Sequence, residues 1–165
     1  MKSPRIISHI CLKDNYVVQS YNFNKYFPIG ELSKSIEYMN VWGADEIIIT
    51  EIGNNAINFN NLKKSLTNSH IPICYGGNVK TLIDVKKLLK LGVDKVSFND
   101  LLLNEPSKIN KFSKIFGKQF IVGSIDIFLE PKKNLIFNHQ NNKYESFVIE
   151  DKLKLFEDIG VGEFF

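Results

Sequence analysis

The sequence predicts an α/β fold built on parallel strands. Three observations carry the prediction: short continuous apolar runs separated by helical patterns, a segment that recurs three times, and a glycine at each joint of that repeat. The recurring segments are GADEIIIT (43–50), GVDKVSFN (92–99) and GVGEFF (160–165). Each opens on a glycine where a helix would end in a left-handed cap. Each closes on an apolar run without alternation, as expected of a strand covered on both faces.

The elements follow in order. RIISHICL (5–12) makes a first strand, followed by a long loop. ELSKSIEYMNVW (31–42) spaces its apolar residues three and four apart and reads as a helix. The second strand lies at 46–51, a helix near 59–68, and a third strand at 71–75 within IPICYGG. TLIDVKKLLKL (81–91) gives the next helix, 94–98 the fourth strand, and a helix near 106–116 precedes a fifth strand at 120–127 within QFIVGSIDI. KKNLIFNHQNNKYESFVI then suggests a hairpin turning at Asn141-Asn142. EDKLKLFEDI (150–159) is a last helix, and Gly162–Phe165 opens a sixth strand.

This alternation fits an open doubly wound sheet or a (β/α)8 barrel. RIISHICL overlays FIVGSIDI with Cys11 falling on Asp126. A twofold-repeated barrel would produce that likeness, and a doubly wound sheet has no reason to. A full barrel takes about 250 residues. The expectation is therefore a single incomplete domain over 1–165: a partial (β/α)8 TIM barrel with five parallel strands and the start of a sixth.

Composition narrows the function classes. The chain has 165 residues, 44% hydrophobic and 24% charged, with a formal net charge of +3. Its lysines are spread over helix faces such as Lys86, Lys87 and Lys90, a solvated pattern rather than a nucleic-acid patch. Cys11 and Cys74 lie far apart with no metal spacing, which suits a reducing cytoplasm. No apolar run approaches the ~20 residues of a membrane span.

In parallel α/β folds the chemistry sits at the carboxyl ends of the strands. Those ends carry Cys11, Glu51, Gly76-Gly77-Asn78, Ser97, Asn99-Asp100 and Asp126. The glycine pair permits close backbone approach to a ligand or simply a tight turn. The helix that follows offers free N–H groups to an anion such as phosphate. Asp126 is a candidate general acid or base, or else a carboxylate that caps loop backbone.

Taken together, RII with LKDNYVVQSYNF (5–23), GADEIIITEI (43–52), IPICYGGNVKT (71–81), LGVDKVSFND (91–100), NEPSKI (104–109), FGKQFIVGSIDI (116–127) and GVGE (160–163) resemble the cyclase subunit of imidazole glycerol phosphate synthase. The likeness runs nearly end to end and covers the first two-thirds or so of such a barrel. It implies a synthase that takes ammonia from a partner glutaminase through the barrel interior. The ammonia attacks a phosphoribosyl-linked intermediate at the far face and yields imidazole glycerol phosphate and an aminoimidazole carboxamide ribotide. No metal and no cofactor are implied.

Carried over residue by residue, the strand-five catalytic aspartate is Asp126. The strand-one aspartate falls on Cys11, which either moves a proton through a thiol with an ordinary pKa of about 8.5 or is simply structural. A first-loop lysine falls on Gln19. The phosphate site implies Gly77, Asn78 (a glycine in the family) and Asn99, with Asp100 in place of a hydroxyl. The ring that gates ammonia is complete as Arg5, Glu46, Lys95 and Glu163, and Asp94 matches a position facing the glutaminase. A paralogous branch, which converts a sugar's acetamido group to acetamidino during surface-polysaccharide synthesis, is similar through NKYFPIGEL (24–32) and CYGGNVKTL (74–82). The substrate is then a phosphorylated ribotide or a nucleotide sugar. A third expectation is a truncated product, non-catalytic alone or serving only to bind a glutaminase.

Overall fold

The computed structural model describes residues 4–21, 25–53, 55–67, 69–130 and 133–165. Positions 22–24 of the stretches used for the resemblance, position 68 at the end of the predicted second helix, and position 132 at the start of the predicted hairpin lie outside the described residues. The chain is α/β. Its parallel strands alternate with helices in the order of a partial (β/α)8 barrel, and it packs as two compact units, Met1–Val96 and Ser97–Phe165.

In the first unit the strands are β1 (Ile7–Lys13), β2 (Tyr16–Tyr21), β3 (Lys25–Glu31), β4 (Glu46–Glu51) and β5 (Ile73–Gly76). β1, β4 and β5 are parallel neighbours, with Ile7 opposite Glu46, Cys11 opposite Thr50 and Ile49 opposite Tyr75. The predicted long loop is corrected here. It forms β2 and β3, which pair antiparallel on the free edge of β1. Asp14 and Asn15 make the two-residue turn, both with positive φ (50° and 70°), the geometry of a twist-matched hairpin.

The helices of this unit are α1 (Leu32–Trp42), α2 (Phe59–Leu66) and α3 (Leu82–Lys90). Ser8 on β1 donates to the Met39 sulfur on α1 at 3.0 Å. That contact assigns one sheet face, with Ile10, Leu12, Ile47, Ile49, Ile73 and Tyr75, to the helix-covered core, and all six are buried. His9, Cys11 and Thr50 point to the opposite face by the period of two.

β6 (Lys95–Phe98) crosses the border between the units. The second unit continues with α4 (Asp100–Asn104), α5 (Pro106–Phe116), β7 (Ile121–Gly123), β8 (Ile127–Glu130), β9 (Lys133–Asn138), β10 (Lys143–Phe147), α6 (Ile149–Asp158) and β11 (Glu163–Phe164). β7 and β11 pair in parallel. The predicted fifth strand, 120–127, is also corrected. It ends at Gly123, and Ile127 already belongs to a separate antiparallel sheet of β8, β9 and β10.

The threefold repeat has one structural meaning. Gly43, Gly92 and Gly160 each take a left-handed φ (75°, 88° and 101°), and the next residue (Ala44, Val93, Val161) donates back to a helix carbonyl and is buried. In the first two copies the third residue is an aspartate that bonds the neighbouring strand: Asp45 accepts from Ile6 N at 2.7 Å and Asp94 from Ile73 N at 2.8 Å. The third copy has Gly162, where a Cβ would collide with the Lys118 carbonyl. Among the described residues no helix is long and apolar enough to cross a membrane.

Candidate functional site

At the strand starts of the first unit, Glu46 opens β4 and is 3% exposed. Its Oε2 accepts from Arg5 Nη1 at 3.2 Å and from Lys95 Nζ at 3.0 Å. A carboxylate buried this deeply needs such partners, because desolvation of an unpaired charge is costly. Three of the four predicted gate residues are thus brought together. The fourth, Glu163, opens β11 opposite Val122 in the second unit.

At the strand ends of the same unit, Cys11 lies beside Thr50, whose hydroxyl is 2.9 Å from His9 Nε2. Burial pushes the Cys11 thiol up and the His9 imidazole down, so both neutral forms are favoured. A neutral thiol can donate a proton but is no thiolate nucleophile.

The turn after β5 holds the predicted phosphate residues Gly77 and Asn78. Gly77 has φ 101°, and a Cβ there would overlap the Glu51 carbonyl, so only glycine fits. Asn78 also takes a positive φ (56°), and its Nδ2 donates to the Gly53 carbonyl at 2.7 Å. Asparagine tolerates this conformation, so the turn survives in the place of the family glycine. The N-terminus of α3 is closed by its own capping box. Asp84 Oδ2 accepts from Thr81 N at 2.9 Å, and Thr81 Oγ1 accepts from Asp84 N. The box takes up the Thr81 and Asp84 N–H groups, two of the donors at this helix end.

Glu51 does not share the face of Cys11. It is on the helix side, buried, and takes a short hydrogen bond from the Tyr75 hydroxyl. Burial holds its carboxyl above the usual range, with the Tyr75 bond pulling the other way. Tyr75 is itself pushed up by burial and then by Glu51.

In the second unit, Asn99 and Asp126 meet. Asn99 Nδ2 donates to Ser124 O at 3.0 Å and to Asp126 Oδ2 at 2.9 Å. Asn99 Oδ1 is buried and without a hydrogen-bond partner among the described residues. A third residue joins them that the sequence reading missed: His139 Nε2 lies 2.8 Å from the same Asp126 Oδ2. The Asp126 and His139 side chains are about half-exposed, at 45% and 49%. His139 directly follows β9 and opens the turn between β9 and β10. The only sequence signal was a histidine among few, next to a predicted turn. Asp100 is exposed at the start of α4. The carboxylate of Asp94 is engaged in the strand bond above.

The profile of the family described as Histidine biosynthesis protein matches residues 5–165. The chain belongs to this family. It is 29% identical to a Vibrio vulnificus protein provisionally named imidazole glycerol phosphate synthase subunit hisF2, covering 96% of this chain and 60% of that protein. A Campylobacter jejuni protein with the same provisional name is 32% identical, over 99% of this chain and 66% of its own length. Imidazole glycerol phosphate synthase subunit HisF of another C. jejuni strain is 31% identical, over 99% and 68%. The chain spans 60% and 66% of the length of the first two relatives. Within this histidine biosynthesis family, the Asp126 group offers a carboxylate able to accept and return a proton, oriented by two neighbours.

Proposed function

We propose that this chain carries part of an ammonia-dependent cyclase site of the imidazole glycerol phosphate synthase type. The observation that carries the reading is the half-exposed Asp126 carboxylate just past β7, fixed through one oxygen by Asn99 and His139. So held, it removes a proton from the phosphoribosyl-linked intermediate as ammonia attacks, and returns it as the product leaves. Ammonia comes from a partner glutaminase at the face where Arg5, Glu46 and Lys95 stand, a gate to which Glu163 also belongs. Gly77, Asn78 and Asn99 receive the substrate's phosphate, Asp94 faces the partner, and the reaction is cytoplasmic. The test supplies ribotide substrate and ammonium salt, with and without a glutaminase. Formation of imidazole glycerol phosphate is expected, and its absence in both mixtures overturns the reading.

One observation favours a second reading. Cys11 stands where the resemblance implies a catalytic aspartate, and burial keeps its thiol neutral. A mechanism using two carboxylates then lacks one. The paralogous reaction, amidination of a nucleotide sugar's acetamido group with the same ammonia, fits that loss. Turnover of the nucleotide sugar and not of the ribotide would select it. Complex formation with a glutaminase and no turnover of either substrate would leave a glutaminase-binding module.

A further inference from the structure

We propose that His139 is the positioning residue of Asp126, and that the β9–β10 hairpin exists in this chain to deliver it. The inference rests on the proposed cyclase reading for its catalytic consequence, and on geometry for the contact itself. Asn99 Nδ2 and His139 Nε2 converge on the same oxygen, Oδ2, at 2.9 and 2.8 Å. Two donors on one carboxylate oxygen fix the plane of the group and assign the other, Oδ1, to the reacting proton.

The hairpin is built to hold that histidine still. Phe137 N donates to the Asp126 carbonyl at 2.9 Å, tying β9 to the backbone of the residue it serves. The Phe137 ring meets the His139 imidazole edge-on, with centroids 4.7 Å apart at 89°. Between them in sequence, Asn138 is 3% exposed and donates to Asn104 Oδ1 on α4 at 2.9 Å, and its own Oδ1 accepts from Gln140 N at 3.1 Å. A buried amide bonded on both sides anchors the strand end to the helix, so the backbone that carries His139 cannot move away without breaking those bonds. The tautomer with the proton on Nε2 makes the donor, and the contact ranks as a charge-assisted hydrogen bond.

The experiment has two arms. The first needs no activity: the imidazole Cε1–Hε1 resonance of His139 is followed by NMR in wild type and in Asp126→Asn. The variant should displace the His139 signal and leave those of His9 and His70 in place. An unmoved His139 signal overturns the contact and the proposal with it. The second arm compares His139→Phe and His139→Gln in the ammonia-dependent reaction. His139→Phe should lower kcat roughly tenfold with little change in KM, and His139→Gln, which keeps an N–H donor at the same reach, should restore most of it. Equal losses in the two variants overturn the positioning role. If wild type turns over neither substrate, it is the cyclase reading that falls, and the first arm alone decides whether His139 holds Asp126.

Discussion

Glu51 and Asp126 are both carboxylates at the end of a parallel strand, and they have opposite environments. Glu51 is the last residue of β4, on the helix-covered face, sealed under Tyr75 and held above the usual carboxylate range by burial. Asp126 lies three residues past the end of β7, half-exposed, with Asn99 and His139 on one oxygen. The difference is one of face and not of position along the strand. Within β4 the period of two commits Glu51 to the same side as Ile47 and Ile49. Asp126 has left its strand and escapes that constraint. A strand-end carboxylate is therefore a candidate for chemistry only when the pleat turns it away from the helices or the strand has already ended.

The sealed carboxylate should matter to folding and the open one to turnover. The largest stability effect is expected at the turn that covers Glu51. Gly77→Ala places a Cβ against the Glu51 carbonyl in a left-handed conformation and should cost about 3 kcal/mol in urea unfolding. A cost below about 0.5 kcal/mol would mean the turn is free to move.

Next comes Tyr75→Phe, which removes only the phenol oxygen and leaves a buried carboxyl without its donor. The expected loss is about 1–3 kcal/mol. It carries a pH signature. Because the folded value of Glu51 lies above its ordinary 4.5, the stability it contributes is fully present below that value and is lost as pH rises through the folded value. Wild type should therefore lose ground to Glu51→Gln as pH rises from about 4.5. In Tyr75→Phe the phenol no longer pulls the folded value down, so the loss still begins near 4.5 but continues to higher pH. Parallel pH curves for wild type and Glu51→Gln would break the assignment.

The smallest stability effect belongs to Asp126→Asn. A half-exposed group with solvent-screened partners should shift unfolding by no more than about 0.5 kcal/mol. A loss as large as that of Tyr75→Phe would erase the contrast between the two carboxylates.

Much of this was legible in the sequence. The glycine repeat and the apolar runs located β4, β5, β6 and β11 to within a residue or two, because strands covered on both faces need continuous apolar residues. β2 and β3 were hidden because Gln19, Ser20, Lys25 and Pro28 read as loop, and the last two sit on the edge strand β3, where such residues are tolerated. Their signal was the Asp14-Asn15 pair, two residues suited to positive φ between pairing segments. Asp126 and Asn99 were visible as strand-end residues. His139 was not, since its approach to Asp126 depends on a hairpin register that no local pattern sets. The burial of Glu51 was within reach, had alternation along β4 been applied to its last residue.

The central claim is that the open carboxylate, and not the sealed one, carries the chemistry. The direct measurement is the turnover rate of Asp126→Asn beside Glu51→Gln, in proteins matched for folded fraction, with ammonium as the nitrogen source. The account predicts a fall of about a hundredfold or more for Asp126→Asn and a change within about threefold for Glu51→Gln. Full activity in Asp126→Asn, or a comparable fall in Glu51→Gln, would contradict it.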